Sequence, residues 1–436
     1  MLSILVRDGH GCQLAAASLI VLFGTMLSAR FGQPGKGGKE VALHFGVESA
    51  EPLQGVSFPP ARLPEEAEDL RAEVRAFLSE ELAAGAFEPR CDGWFNGYSP
   101  EFSRKLGKRS WLGMTWPKRY GGHERSSLER FVVLEELLAA GAPVASHWIA
   151  DRQSGPSILR FGTEEQKTRF LPAIARGECY FSIGMSEPES GSDLASVQTS
   201  AERVDGGWLV NGTKIWTGGA HLSHYFIVLC RTSPLDEGDR HAGLSQFIVD
   251  LSASGITVEP ISLITGEHVF NEVVLDDVFV PNELVLGEIG AGWEQVTSEL
   301  AHERSGAERF LSTFPLFVEL VRALGERPDE RARVAVGTLV SRLWTLRRMS
   351  LSVAVALEKG AAPEVEAALV KELGNRFERE VAEVARLLVP SELSFEAPSP
   401  FEGRLAEAIS HAPAFTLRGG TSEILRGIVA RGLNIR

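Results

Sequence analysis

Three short segments carry residues able to do chemistry on a polar ligand. Gly184-Met-Ser-Glu-Pro-Glu-Ser-Gly-Ser-Asp193 mixes small residues with hydroxyls, so its backbone can approach a ligand closely and offer N–H and O–H donors to a ring or a phosphate. Lys214-Ile-Trp-Thr-Gly-Gly-Ala220 places Trp216 where an aromatic face could stack on a planar cofactor. Arg418-Gly-Gly-Thr-Ser-Glu-Ile-Leu-Arg426 feeds a glycine pair into a helix start, a setting suited to an anion. Taken singly, each has a bland reading. The first is equally an ordinary polar turn, and a tryptophan in a sheet is more often core than platform.

Metal chemistry is not expected. The four cysteines, Cys12, Cys91, Cys179 and Cys230, form no CxxC pair, and His221 and His224 lie close together without an HExxH motif. Such sparse cysteine usage fits a reducing cytosol, so a cytoplasmic protein is expected. A net charge of −14 opposes attraction to nucleic acid or anionic membranes.

The elements that must position these segments follow from hydrophobic period. At 436 residues, with 44% hydrophobic and 23% charged, the chain has material for two or three globular domains. Past Pro64, Leu70, Val74, Phe77, Leu78 and Leu82 recur at helical spacing, and Ser126 and Thr163 are candidate caps of later helices. From about Cys179 to residue 285 short β-branched runs alternate with turn signals, including Asn211-Gly212, and read as an antiparallel sandwich or barrel. After Gly292 the helical period returns, broken by the Pro390–Pro400 loop. The expected fold is therefore α+β and mostly α. Its divisions are an extension over 1–57, a helical domain over 58–180, a β domain over 181–290 and a helical bundle over 291–436. The extension has an apolar stretch, Leu19-Ile-Val-Leu-Phe23, that imitates a secretory signal but is too short for a membrane anchor; we expect a dispensable leader.

In this order the motifs resemble the acyl-CoA dehydrogenase flavoproteins. The resemblance covers roughly residues 60–436 and rests on Gly162-Thr-Glu-Glu-Gln-Lys167, Ser186-Glu-Pro with Gly191-Ser-Asp193, Lys214-Ile-Trp216, Glu272–Pro281 and Gly420-Thr-Ser-Glu-Ile424. It implies a helical N-terminal domain, a central β domain and a C-terminal four-helix bundle, with FAD between them. It also implies α,β-dehydrogenation of an acyl-CoA thioester, in which a carboxylate removes the α-proton and the β-hydride passes to the flavin. By family position Ile183, Met185, Ser186, Gly191 and Ser192 would line the flavin, Ser192 also facing CoA. Trp216, Thr217 and Gly218 would cover the other face of the ring, and Thr421 and Glu423 would reach the nucleotide end.

Two departures from the family pattern sharpen the expectation. Many members carry the catalytic glutamate just before the C-terminal Gly-Thr, but here that position is Gly419, which can still offer its backbone N–H to the thioester oxygen. Other members place the base on the first C-terminal helix before an arginine, and Ala301-His-Glu-Arg-Ser305 matches that pattern. Glu303 is thus the expected base, with Arg304 beside the substrate. Losing a side chain at 419 also makes room for a bulky or steroid-derived acyl group. The second departure concerns FAD. No segment resembles the Arg-x-x-Phe and Gln-x-x-Gly-Gly elements that complete the site in homotetramers, and Arg322–Pro328 is a poor substitute. The pattern is similar to actinobacterial steroid-degrading subunits that assemble as α2β2. A second acyl-CoA dehydrogenase-like subunit is expected, else a homotetramer, with an electron-transferring flavoprotein as acceptor. The alternatives are a non-catalytic structural subunit and a related flavin oxidase or monooxygenase.

Overall fold

The computed structural model describes residues 56–396 and 399–435, the side chains of residues 299–303 excepted. The leader expected over residues 1–57 thus lies almost wholly outside the described residues. Among the described residues, seven helices come first: α1 (Glu65–Ala83), α2 (Gly93–Asn96), α3 (Pro100–Lys108), α4 (Ser127–Ala139), α5 (Ala145–Ile149), α6 (Gly155–Phe161) and α7 (Glu164–Ala175). The caps read from sequence hold. Ser126 and Thr163 each close a reciprocal capping box, with Glu129 and Gln166, satisfying backbone donors that would otherwise be orphaned.

The sheet follows: β1 (Phe181–Gly184), β2 (Ser200–Val204), β3 (Gly207–Gly218), β4 (Tyr225–Arg231), β5 (Leu244–Asp250), β6 (Ile256–Ser262), β7 (His268–Pro281) and β8 (Val285–Leu286), in the order β6-β7-β3-β2-β4-β5-β8. It is mixed rather than wholly antiparallel, because β1 runs parallel to β4 and Ser200 pairs in parallel with Arg231. The β2–β3 hairpin intervenes between β1 and β4 in sequence and supplies the long crossover that a parallel pair needs. Asn211-Gly212 is not a turn. It forms an irregularity inside β3, where a Cβ on Gly212 would come within 2.7 Å of Thr199 Cα, and the turn before β3 is at Asp205-Gly206.

Six helices follow among the described residues: α8 (Gly292–Glu303), α9 (Phe314–Leu324), α10 (Glu330–Glu358), α11 (Glu364–Leu388), α12 (Pro400–Phe415) and α13 (Ser422–Gly432). Helix α11 runs through their middle, against α10, α12 and α13. The first helical segment is shared between two cores. Phe77, Leu78, Leu134 and Leu138 pack with Phe314, Leu343, Phe377 and Leu405 of the C-terminal helices. Phe170 and Ile174 instead pack with Phe181, Phe226, Phe247 and Val273 of the sheet. All three segments therefore meet along one seam. Charge reinforces it: Arg90 reaches Glu267 at 2.7 Å and Glu407 at 3.0 Å, and His411 lies 2.9 Å from Glu267. No helix among the described residues is long and apolar enough to cross a membrane.

Candidate active site

The site grows from a defect in the sheet. Pairing of β3 with β7 shifts register between Lys214 and Thr217, and Trp216 at this bulge takes φ 59°, a left-handed conformation that bulky residues avoid. Its indole is 54% exposed, so neither core packing nor backbone preference accounts for it. One edge meets Phe270 at 5.6 Å, and Phe270 meets Phe95 of α2 at 4.9 Å. The Arg418 guanidinium lies 4.5 Å from the Trp94 ring and 5.0 Å from Phe95. An aromatic strip thus joins the bulge to the C-terminal glycine loop across α2.

Next to Trp216, Thr217 is buried and its Oγ1 has no partner among the described residues. Asn271, fully buried, donates to Thr217 O at 3.0 Å and fixes this stretch of strand. Lys214 is buried too. Its Nζ donates to Glu187 Oε1 at 2.8 Å and to Met185 O at 3.1 Å, while Glu187 also accepts from Gln198 N at 2.7 Å and Thr199 N at 2.9 Å. Burial opposes both charges. It is the larger effect on Lys214, whose pKa falls, whereas on Glu187 the nearby ammonium and the amide donors outweigh it and hold the carboxyl below its ordinary value. Together with the Ile215 N to Ser186 O bond of 2.9 Å, this pair straps the segment after β1 alongside the bulge.

The structure therefore brings Ile183, Met185 and Ser186 beside Lys214–Gly218. Ile183 is half-buried on β1, and Met185 packs with Val197, Leu229, Leu244 and Val296. Gly191 and Ser192 stand exposed on the turn that follows, pinned by Asp193 to Arg240 at 2.7 Å.

At the other end of the strip, Gly419 and Gly420 have φ 65° and 101°, values that glycine adopts without strain. Arg304 Nε donates to Gly419 O at 3.5 Å and Lys371 Nζ to Gly420 O at 3.3 Å. The end of α8 therefore abuts the glycine loop. Glu303 is the last residue of α8, next to Arg304; its side chain lies outside the described residues. Thr421 caps α13 by accepting from Ile424 N at 3.4 Å, and Glu423 is exposed in the first turn. Among the described residues, the glycine loop before these two is held by Arg304, just past α8, and by Lys371 of α11. Arg418, which opens this glycine segment, is engaged on α2, where it forms a fork on Asp92 at 2.6 and 2.8 Å. Sequence reading passed over Asp92, Phe95, Phe270 and Lys371, which lie far in sequence from the motifs they touch. Only the Asp92-Gly93 pair, a turn-type dipeptide, gave a local signal.

Comparison with known proteins decides what this geometry belongs to. Family models for the acyl-CoA dehydrogenase N-terminal, middle and C-terminal domains match residues 64–178, 182–278 and 290–434. The chain belongs to the acyl-CoA dehydrogenase family. Acyl-CoA dehydrogenase IpdE1 of Mycobacterium tuberculosis is 33% identical over 84% of this chain and 97% of its own length. Acyl-CoA dehydrogenase FadE34 of the same organism is 34% identical over 77% of this chain, which spans only 46% of that relative. Among solved structures, the Tcur3481-Tcur3483 steroid ACAD aligns with TM-score 0.77 and 30% identity, covering 86% of this chain and 99% of its own. The ChsE4-ChsE5 complex from Mycobacterium tuberculosis aligns with TM-score 0.74 and 28% identity, over 86% and 98%.

As an acyl-CoA dehydrogenase the protein is an oxidoreductase acting on acyl-CoA, and FAD is its cofactor. The residues present fit that group. An exposed indole held in a strained conformation offers a face to a planar ring, and the orphaned Thr217 Oγ1 is a hydrogen-bonding atom in want of a partner.

Proposed function

We propose that the enzyme dehydrogenates a bulky, steroid-derived acyl-CoA to the 2-enoyl-CoA, with Glu303 as base. The observation that carries this reading is the Arg304–Gly419 contact. It sets the end of α8 against the C-terminal loop, so a carboxylate at 303 and the backbone N–H of Gly419 can serve one thioester. Glu303 takes the α-proton. Gly419 N–H faces the thioester oxygen as enolate charge develops, when a preorganised donor is worth most. Ile183, Met185, Ser186 and Gly191 line one side of the cofactor site, with Trp216, Thr217 and Gly218 on the other and Thr421 and Glu423 toward its nucleotide end. FAD, when bound, supplies the acceptor for the hydride leaving Cβ. Ser192, on an exposed turn, meets the CoA moiety.

The bulky substrate class is supported by glycine at 419, which leaves space, and by the steroid ACAD named among the similar structures. Similarity to a complex of two different chains supports a second acyl-CoA dehydrogenase-like subunit as partner. An electron-transferring flavoprotein as acceptor and a cytoplasmic setting complete the proposal. The test is co-expression with the product of the neighbouring gene, followed by anaerobic flavin bleaching against a panel of straight-chain and ring-bearing acyl-CoAs. Glu303→Gln is expected to slow bleaching by about 10³-fold. Wild-type bleaching in Glu303→Gln would make this chain the supporting, non-catalytic subunit.

A further inference from the structure

We propose that Asp92 is a positioning residue for the donor that polarises the thioester, acting through Arg418 on the Arg418–Gly419 peptide. The inference rests on the assignment of Gly419 N–H above. Two consecutive glycines give this loop wide conformational freedom, so the direction of that N–H must be set by its neighbours. On the downstream side Arg304 and Lys371 hold the carbonyls of Gly419 and Gly420. On the upstream side the anchor is Arg418. Its two terminal nitrogens fork onto both carboxylate oxygens of Asp92, at 2.6 and 2.8 Å, and its plane is flanked by Trp94, Phe95 and Phe415 at 4.5, 5.0 and 5.1 Å.

Asp92 is itself immobilised. Only 2% exposed, it takes φ 63° at the head of α2 and donates its backbone N–H to Ser312 O at 2.8 Å. Ser312 in turn accepts from Trp94 Nε1 at 3.0 Å and donates its N–H to Glu378 Oε1 at 2.8 Å, tying α2 to α11. The fork therefore transmits a rigid frame to the residue just before Gly419. A buried ion pair kept only for stability would be replaceable by apolar packing. This one spans two segments at the residue adjoining the catalytic donor, where a bidentate fork adds direction as well as energy.

The test uses Asp92→Asn in the flavin-loaded complex. Asparagine tolerates the left-handed backbone and keeps the Ser312 bond while removing the charge. Isotope-edited infrared of bound 2-enoyl-CoA labelled with ¹³C at the carbonyl reads donor alignment directly. In Asp92→Asn the carbonyl stretch is expected to move back toward its value in water, with kcat down about 10- to 100-fold and KM within about twofold. Arg418→Lys, which cannot fork, should do the same and carries the test if Asp92→Asn does not fold. Glu303→Gln should block turnover and leave the carbonyl stretch as in wild type. An unmoved stretch in both fork variants, even with lower stability, would show a purely structural pair and overturn the proposal while leaving the dehydrogenase assignment standing. A wild-type complex that bleaches with no acyl-CoA would remove that assignment, and this inference with it.

Discussion

Replacing Lys214 with methionine tests whether the cofactor segment is held by charge. Lys214 is fully buried and its ammonium faces Glu187 Oε1 at 2.8 Å, so Lys214→Met leaves a carboxylate in the interior without its counter-ion. Breaking one side of a buried pair costs about 3–5 kcal/mol. Two partners remain, the amides of Gln198 and Thr199 at 2.7 and 2.9 Å, which argues for the lower end. At about 2.1 cal/mol/K per residue, a loss of about 3 kcal/mol lowers Tm by about 4 °C if some 375 residues melt together, and by about 14 °C if the β segment of about 105 residues melts alone. The Met185 carbonyl also loses its donor, so the strap beside the bulge loosens and flavin retention falls. The assay is a thermal melt followed by tryptophan fluorescence, with flavin content measured by absorbance after gel filtration. Lys214→Met/Glu187→Gln should regain part of the lost stability, because it removes the stranded charge while its amide oxygen still accepts from one of the two backbone N–H groups. A Tm within 1 °C of wild type for Lys214→Met would refute the reasoning.

Three further outcomes are expected. Burial pushes the Glu378 carboxyl up to about 7, against the pull of Arg418. A folded value above the unfolded one gives a contribution that is full below the usual carboxylate range and lost as pH rises through 7. Melts should therefore show wild type losing about 2.5 kcal/mol relative to Glu378→Gln between pH 5 and 8; parallel curves would contradict this. Trp216→Ala should leave Tm within about 2 °C, since the ring is 54% exposed, yet weaken flavin retention about tenfold; unchanged flavin content would show that the indole is no platform. Gly374→Ala would place a Cβ 2.0 Å from Arg309 O on the neighbouring turn, costing about 3 kcal/mol in denaturant melts, and a neutral result would mean that α11 can shift there.

Much of the fold was legible because local periodicity reports burial. Leu70, Val74, Phe77 and Leu78 mark the inner face of α1, and the Ser126 and Thr163 caps mark helix starts, because each uses neighbours only a few residues away. Where the reading slipped, a local signal had two structural meanings. Asn211-Gly212 suits a turn, but here the glycine serves the close approach of Thr199 inside a strand. The parallel β1–β4 pair was invisible, since both strands show the same short apolar run that an antiparallel pair would.

For the site, sequence alone determined the family, the order of its segments, the absence of an acid at position 419 and the alternative acid at 303. These are matters of residue identity at fixed spacing. Tertiary structure decided which groups surround them. Asp92 and Arg418 are 326 positions apart, Arg304 and Gly419 are 115 apart, and Phe95 reaches Phe270 across two segments. Such pairings arise only when two hydrophobic cores bring three segments to one seam. The physical reason is that burial fixes a side chain's partner by shape and charge in three dimensions, and no local pattern in the chain encodes that choice.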